Sequence, residues 1–297
     1  MRRRRAGNGD ARRAFVVTIG ALALLLALGS SVVWGCADFG GGWVTRRLPV
    51  FAVALVSQLA GFVPLVVAIA LRGNVDGRSL WIGALGGIGG AIGLSAFYKA
   101  MAVGTMSVVS PITACSALVP FVLSIATGER PAVIAALGAI LALSGAILAS
   151  LEERKSSSPE RARAVLLAVV SAVAIGLFVY FVGLGSREGD VLSTLVGARI
   201  GSLAALVVLV AGSRTSVRIP RVSLPAVAAV GLGDVSANAL FAFASGHGLL
   251  SLVSVLGSLY PVVTLLLAYV ILHERLTRAQ QTGVAIALVG VVAIAAA

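Results

Sequence analysis

The chain has 297 residues, of which 59% are hydrophobic and 11% charged, and its mean hydropathy is +1.06. Soluble domains carry about 25% charged residues, so this chain has too little polar surface to cover a folded core in water. Composition therefore excludes a soluble globular protein and predicts an integral membrane protein. The net charge of +12 does not indicate nucleic-acid binding, because six arginines fall in the first 13 residues and the others are scattered through short loops.

Uncharged stretches predict the membrane-spanning elements in chain order. A helix needs roughly 20 apolar residues to cross a bilayer, and stretches of suitable length lie at 14–37, 48–71, 79–98, 100–128, 131–151, 164–186, 191–213, 222–273 and 279–297. Arg199 interrupts the seventh stretch and Asp234 the eighth, which is long enough for two helices around "SGHG". Backbone groups in lipid need partners within their own segment, and the short alternating segments of a β-barrel are absent. The sequence predicts an all-α protein of ten transmembrane helices, numbered here in chain order.

Residues 1–13 form a basic tail beside the first predicted helix. Such a tail is typical of a topology determinant and of a contact with anionic lipid. "ARRAFVV" resembles a twin-arginine export signal, but the apolar stretch behind it is longer than in a signal peptide and no clear cleavage site follows. We expect an uncleaved first helix with its N-terminus in the cytoplasm, although the remaining loop charges favour the reverse orientation.

Cofactor and metal chemistry have little support in the sequence. Cys36 and Cys115 fall inside apolar stretches, and His247 and His273 are lone turn residues. A phosphate-binding loop requires a preceding strand and a following lysine. The glycine-rich run "GALGGIGGAIG" at 83–93 has neither. The glycines of the run at 83–93 instead predict close packing of helix 3. We expect no metal, no cofactor and no nucleotide-binding loop.

The two halves of the chain form an internal repeat. At an offset of 145, Glu129-Arg130 matches Glu274-Arg275, and at an offset of 144 the upstream helices match. The matched pairs are Gly138/Gly283, Gly145/Gly290, Gly87/Gly231, Gly89/Gly233, Phe97/Phe241, Gly104/Gly248, Ser107/Ser251 and Ser110/Ser254. A polar linker at 152–163 separates repeat 1 (14–151) from repeat 2 (164–297). Five spans in each half predict repeats of inverted topology, which are typical of secondary transporters.

The repeat motifs resemble a known family. "VVWGCADFG", "FYKAMAVG", a proline-containing helix 4 followed by "GER", and "SLYPVVTLLLAYVILHERLT" are similar to an EamA-type repeat. Two such repeats resemble the drug/metabolite transporter superfamily. The resemblance implies ten helices, both termini in the cytoplasm, and a central cavity lined by helices 1, 3, 4, 6, 8 and 9. It also implies export or exchange of small metabolites. Helix 4 departs from its counterpart in carrying Pro111 and Pro120, where helix 9 carries Pro261.

Asp234 lies near the middle of predicted helix 8. A charge at that depth costs at least about 2.5–3.5 kcal/mol, so its side chain must face the protein interior. Asn238, Phe241 and Ser245 share its face by helical spacing. Arg199, in the preceding helix, is the expected partner. One interpretation is a structural ion pair, and the other is a site that exchanges protons or binds a zwitterion.

The letters "GLGD" also match the G-x-G-D pattern of intramembrane aspartyl proteases. That chemistry needs two carboxylates sharing a proton, whereas helix 7 offers Arg199. The other acid in question, Asp38, is expected to be far away in helix 1. Gly231 and Gly233 have repeat partners that no acid follows, so packing explains them better.

The other candidate residues for substrate binding or coupling are Ser254, Ser258, Tyr260 and Pro261 in helix 9, Ser110 and Pro111 in helix 4, Trp34 and Asp38 in helix 1, and Tyr98 and Lys99 ending helix 3. The serines either bond across helices or line a substrate path. Asp38 is either a cavity residue or interfacial, and Lys99 either snorkels to the interface or contacts an anionic substrate. Glu129 and Glu274 are expected to begin helices 5 and 10, where the helix dipole favours acids.

These observations favour a multi-pass cell-membrane transporter, and not an enzyme. The predicted substrate is a small metabolite such as an amino acid or drug-like compound, moved by alternating access and driven by protons or exchange. The alternatives are an intramembrane enzyme of the G-x-G-D type and a structural membrane protein.

Overall fold

A computed structural model describes residues 3–45, 47–103, 112–113, 115–149, 160–213, 217–272 and 276–297. All its regular elements in these ranges are helices: α1 (Arg3–Thr45), α2 (Val50–Arg72), α3 (Gly77–Val103), α4 (Leu118–Ala126), α5 (Val133–Ala149), α6 (Glu160–Glu188), α7 (Val191–Ser213), α8 (Leu224–His247), α9 (Leu250–Gly257), α10 (Tyr260–Leu272) and α11 (Arg278–Ala295). Short 3₁₀ turns precede α4 and α8.

Eight segments of the described chain are long and apolar enough to cross a membrane. Seven belong to single helices, namely α1 from Gly20 onward, α2, α3, α6, α7, α8 and α11, and the eighth, Leu250–Ile271, joins α9 and α10. The segments Cys115–Ala126 and Val133–Ala149 are apolar but shorter. The protein is therefore an all-α, multi-pass membrane protein, and the count of ten crossings stays a prediction.

Large apolar side chains cover the outside of the bundle. Leu25 is 67% exposed and Val208 is 70% exposed. Alanines and serines are prominent among the buried residues, including Ala27, Ala142 and Ser171. Small interior residues let helices approach closely where lipid offers no hydrophobic contrast. This arrangement suits a protein whose outer surface faces hydrocarbon.

The last helices of the two halves, α5 and α11, pack antiparallel. A Cβ added to Gly145 would lie 2.6 Å from the carbonyl oxygen of Gly283, and one added to Gly138 would lie 2.9 Å from that of Gly290. Early residues of α5 thus meet late residues of α11. Gly138 and Gly283 are one repeat pair and Gly145 and Gly290 the other, so equivalent helices run in opposite directions.

The first helix of each half packs against the third helix of the other half. In the α1–α8 contact, the buried hydroxyl of Ser30 donates a hydrogen bond to the carbonyl of Ala237 at 2.8 Å. In the α6–α3 contact, Ser171 donates to the carbonyl of Gly93 at 2.9 Å. Gly93 and Ala237 are 144 residues apart, which is the upstream offset of the repeat. The two acceptors therefore correspond in the repeat, and one of the two contacts brings helix 1 against helix 8.

Glycines also seat α3 on α7 and α8 on α2. A Cβ on Gly87 would lie 2.0 Å from the carbonyl oxygen of Ala198, and one on its repeat partner Gly231 would lie 1.9 Å from that of Ser57. Neither position admits a side chain. The packing interpretation of the glycine-rich helix 3 and of "GLGD" is confirmed, and the second contact holds Asp234 close to α2.

Predicted helix 9 is divided into two helices in the structure. α9 ends at Gly257 and α10 begins at Tyr260. Pro261 has no N–H to donate to the carbonyl of Gly257, and its ring disfavours the helical conformation of the preceding residue. The intervening chain tightens instead, with the N–H of Leu259 donating to the carbonyl of Leu256 at 3.3 Å.

Candidate functional site

A charged centre lies where α2, α7 and α8 meet. Arg199 Nη2 donates to Asp234 Oδ2 at 2.5 Å, and its Nη1 donates to the side-chain oxygen of Gln58. Asn238 Nδ2 donates to the main-chain oxygen of Asp234 at 2.7 Å and to its Oδ1 at 3.2 Å. The Arg199 side chain is 6% exposed and that of Asp234 is 32% exposed. Arg199 is thus buried and bonded to two partners, while Asp234 keeps access to its surroundings.

The polar stripe of α8 faces the protein interior. Asn238, Phe241 and Ser245 are all buried, and the Ser245 hydroxyl donates to the carbonyl of Phe241 at 2.8 Å. These positions therefore do not face acyl chains. Their part in binding or coupling stays a prediction.

Asp38 lies close to Asp234, and the expectation that it is far away is wrong. The antiparallel packing of α1 on α8 places Ala37 against Gly233, where an added Cβ would lie 3.3 Å from that of Ala37. Asp38 interacts electrostatically with both Asp234 and Tyr260. It stands seven residues before the end of α1 at Thr45, about 10 Å by helical rise. An inverted fold brings acids 196 positions apart in sequence to one depth.

Three aromatic side chains lie beside these acids. The ring centroid of Trp34 is 5.7 Å from that of Phe241 and 6.4 Å from that of Tyr260, the latter in an edge-to-face arrangement. Trp34 precedes Asp38 by one helical turn, so the two side chains share a face of α1. That face packs on Phe241 and Tyr260, and Asp38, whose side chain is exposed, therefore projects inward rather than toward hydrocarbon.

The remaining candidates of α9 and α10 lie around the break between these two helices. Ser254 Oγ donates to the carbonyl of Ser251 at 3.0 Å, and Ser258 Oγ donates to that of Val255 at 2.8 Å. Both hydroxyl protons stay within their own helix, so only the oxygen lone pairs remain for another partner. Pro261 is half-buried beside Tyr260. The role of these residues in lining a path stays a prediction.

The candidates of helices 3 and 4 fall mostly outside the described residues. Lys99 is exposed near the end of α3. The side chain of Tyr98 and the whole of Ser110 and Pro111 lie outside the described residues. Their proposed contacts with substrate therefore stay predictions.

Sequence reasoning missed two site residues, Gln58 and Glu129. Gln58 was detectable as a lone amide in an otherwise apolar span. Glu129 was assigned to the start of helix 5, but its buried carboxylate accepts the N–H groups of Leu250 at 2.8 Å and Ser251 at 2.9 Å, and pairs with Arg187. It therefore caps α9, in the other repeat, because the fold carries the loop after α4 across to that helix end.

Glu129 belongs to a polar layer that we call the ion-pair face: Arg72, Asp76, Arg78, Glu129, Arg187, Glu188 and Asp190. Arg72 pairs with Asp190, and Arg78 pairs with Glu188 at 3.1 Å. This face lies at the α9 end of α8. Asp234 is 13 residues from the last residue of α8, about 20 Å along the helix.

Reciprocal caps join α3 and α7 within the ion-pair face. The N–H of Asp76 donates to Ser193 Oγ at 3.0 Å, and that of Asp190 donates to Ser79 Oγ at 2.8 Å. Hydrogen bonds from the Ser79 hydroxyl and N–H hold the pKa of Asp76 below its ordinary value. Partial burial opposes ionisation of Asp190, but hydrogen bonds from Ser193 and Arg72 outweigh it and lower its pKa.

An apolar groove of about 410 Å³ runs between α1 and α8, lined by residues such as Val33, Cys36, Phe39, Trp43 and Val230. Neither Asp38 nor Asp234 lines it. The groove and the charged centre therefore occupy different sides of the same helix contact. Among the described residues, no three metal-ligating side chains cluster.

Comparisons with known proteins agree with this architecture. The EamA-like transporter family matches residues 21–151 and again residues 162–296. Among solved structures, 28 chains match, and one, described as "Crystal structure of protein", has a TM-score of 0.77 at 20% identity, covering 92% of this chain and 96% of its own. That likeness shows a shared fold. None of the curated proteins compared matches the chain. Because the family matches almost its whole length as two repeats, the chain belongs to the EamA-like transporter family.

Proposed function

We propose that this protein is a secondary transporter of the drug/metabolite type, which exports or exchanges a small metabolite by alternating access across the cell membrane. The observation that carries the proposal is the position of Asp38. Its carboxylate has no ion pair or hydrogen bond among the described residues, and it lies beside the Arg199–Asp234 pair, at a contact between the two repeats. We place both termini in the cytoplasm.

The location of the centre supports this function. Helices α1 and α2 come from repeat 1, and α7 and α8 from repeat 2, so the centre lies where the repeats meet. Transporters built from inverted repeats bind their substrates at such an interface near the membrane midplane. An ionisable side chain within a membrane marks a functional position by default, because its insertion is costly.

The ion-pair face supports alternating access. Glu129 of repeat 1 holds both the start of α9 and Arg187, which belong to repeat 2. These bonds join the two repeats at one end of the bundle, about 20 Å from Asp234 along α8. Rocking of the repeats would have to break the Glu129 contacts to expose the centre on this side.

Protons or a second substrate would supply the energy. Asp38 and Asp234 are both acids, and Arg199 pairs with only one of them. Binding of a proton or of a cationic substrate would therefore balance the charge of the centre.

Reconstituted vesicles test the function. Purified protein in proteoliposomes should move at least one member of a metabolite panel, and a transmembrane pH gradient should change the rate. Asp234→Asn with Arg199 intact should reduce the rate or its pH dependence. Absence of flux for the whole panel, with correctly folded protein, would refute transport and favour a structural role. Unchanged flux and pH dependence in Asp234→Asn would remove Asp234 from the mechanism.

An intramembrane aspartyl protease is the second candidate, favoured by the proximity of Asp38 to Asp234. A catalytic dyad shares a proton between its carboxylates. Here no hydrogen bond joins Asp38 to Asp234, and Asp234 accepts from Arg199 instead. Transport is therefore the better interpretation, and we propose no enzymatic activity.

A further inference from the structure

The centre contains one carboxyl group without a partner in the part of the chain that the structure describes. Two carboxyl groups, Asp38 and Asp234, lie close together, and among the described residues Arg199 pairs with Asp234 alone. Arg199 is committed to Asp234 and to the amide oxygen of Gln58. Asp38 is therefore the acid that a mobile cation can neutralise, and its exposed side chain makes it accessible to one.

Hydrogen-bonding capacity at the centre is also one-sided. The Nδ2 of Asn238 is held by two oxygens of Asp234, which fixes the orientation of the amide. The other end of that amide, Asn238 Oδ1, is buried and has no hydrogen-bond partner. Buried polar atoms are rarely left unpaired in native proteins. The open groups, Asp38 and Asn238 Oδ1, are both acceptors, so they fit a ligand that donates.

The aromatic wall selects the same sign of charge. Trp34 shares a face of α1 with Asp38, and Tyr260 packs edge-to-face against Trp34. The faces of Trp and Tyr rings attract cations, whether ammonium or guanidinium. Phe241, which is buried behind Trp34, holds the indole in place. An apolar body attached to a cation would thus find rings beside the carboxylate.

We propose that the site binds an organic cation: an ammonium carried on an apolar, ring-bearing body, with Asp38 as counter-ion and Trp34 and Tyr260 as the aromatic wall. This inference rests on the proposed transport function and narrows its substrate class. A zwitterion fits less well because its carboxylate would need a free positive group, and Arg199 is buried and occupied. An anion would meet Asp38 and the negative faces of the rings.

Three probes with one phenylethyl body separate these classes by charge. They are 2-phenylethylammonium, phenylalanine and 3-phenylpropionate, which are cationic, zwitterionic and anionic at pH 7. Binding to the full chain in lipid nanodiscs is measured by isothermal titration calorimetry, which requires no transport. The cation should bind at least about tenfold more tightly than the other two probes. Both of those carry a carboxylate, and placing it beside Asp38 would bring like charges together, which is unfavourable.

Variants of the site identify the counter-ion and the wall. Asp38→Asn, which keeps the shape of the side chain, should weaken cation binding at least about tenfold, and Asp38→Glu should retain most of it. Trp34→Leu should weaken binding severalfold, and Trp34→Phe less so. Glu188→Gln, which removes an acid of an exposed ion pair remote from the centre, is the matched control and should bind as the native chain does.

Several results would overturn the inference. Equal or tighter binding of phenylalanine would assign the site to a zwitterion, and tighter binding of 3-phenylpropionate would assign it to an anion. Full cation affinity in Asp38→Asn, or no cation binding by folded native protein, would show that Asp38 is not the counter-ion of an organic cation. If vesicles transport another metabolite while the cation fails to bind, the substrate class is wrong and the transport function stands. If no compound is transported yet the cation binds through Asp38, the transport function fails instead.

Discussion

Ser30 donates its hydroxyl proton to the carbonyl of Ala237 at 2.8 Å, across the contact between α1 and α8. Ser171 donates to the carbonyl of Gly93 at 2.9 Å, across the contact between α6 and α3. Both serines are completely buried. Because the first bond holds α1 against α8, it also helps to position Trp34 and Asp38 of α1 relative to Asp234 of α8. The architecture of the repeats thus positions the candidate site directly.

Replacing either serine by alanine should loosen these contacts modestly. A hydrogen bond between membrane helices contributes about 0.6–1 kcal/mol on average, so we expect Ser30→Ala and Ser171→Ala each to lose about that much stability. Thermal unfolding in detergent, followed by tryptophan fluorescence, measures the effect. Ser30→Ala alone should also weaken ligand binding, since only its contact supports the centre. Equal effects of both variants on binding would contradict that positioning role.

Breaking the central ion pair should be more costly than removing it. Arg199→Gln leaves the carboxylate of Asp234 without its cation, and we expect a loss of about 2–3 kcal/mol, below the cost for a fully buried charge because Asp234 is partly exposed. The double variant Arg199→Gln/Asp234→Asn should recover part of the loss. Denaturation of the native, single and double variants gives the coupling energy. Additive losses would mean that the pair does not interact energetically.

Removing the charge of Glu129 should open the ion-pair face. Its carboxylate accepts two N–H groups of α9 and pairs with Arg187, and hydrogen bonds to a charged group contribute about 1.5–3 kcal/mol each. In a chain with Cys36 and Cys115 replaced by alanine, a thiol introduced as Ser251→Cys should be alkylated at least about tenfold faster when Glu129→Gln is added.

Glu188→Gln serves as the control for that experiment, because the Arg78–Glu188 pair is solvent-exposed and such pairs contribute little. The alkylation rate should not change. A rate that is unaffected by Glu129→Gln would show that Glu129 does not close this face.

Acid should weaken the junction of α3 and α7. The pKa of Asp76 and that of Asp190 lie below the ordinary value of 3.8 in the folded protein. Their stabilisation is therefore complete above that pH and is lost as pH falls below it through the lowered values. Thermal unfolding between pH 5 and about pH 2 should show this decline, and Asp76→Asn should flatten it. A decline that begins near neutral pH would point to other groups.

A larger side chain at Gly145 should disrupt the α5–α11 pair. A Cβ there would lie 2.3 Å from the backbone nitrogen of Ala287, so the helices must separate, and overpacking costs about 1–3 kcal/mol or more. We expect Gly145→Leu to lower the unfolding temperature markedly. Gly42→Ala in α1, where nothing lies within 4 Å of the added carbon, should leave it unchanged or higher. Equal tolerance at both positions would contradict the close packing.

The sequence alone determined the class of the protein and its repeat. Uncharged stretches of bilayer length leave no other class, because lipid forces each span to satisfy its backbone internally. The offsets of 144 and 145 paired the glycines that the structure brings against facing backbones. The pairing of Arg199 with Asp234 was also predictable, since a lone mid-span acid needs a nearby cation.

Only the tertiary structure decided which distant residues share a site. Asp38 and Asp234 belong to different repeats, and no periodicity within one helix relates them. Their proximity follows from the crossed packing of α1 on α8. Glu129 likewise caps a helix that is more than a hundred residues away in sequence. The position of its loop is determined by helix packing, which depends on small side chains at the helix interfaces. Spacing in a sequence reports neighbours along one helix, whereas the charge balance of this centre depends on four helices from two halves.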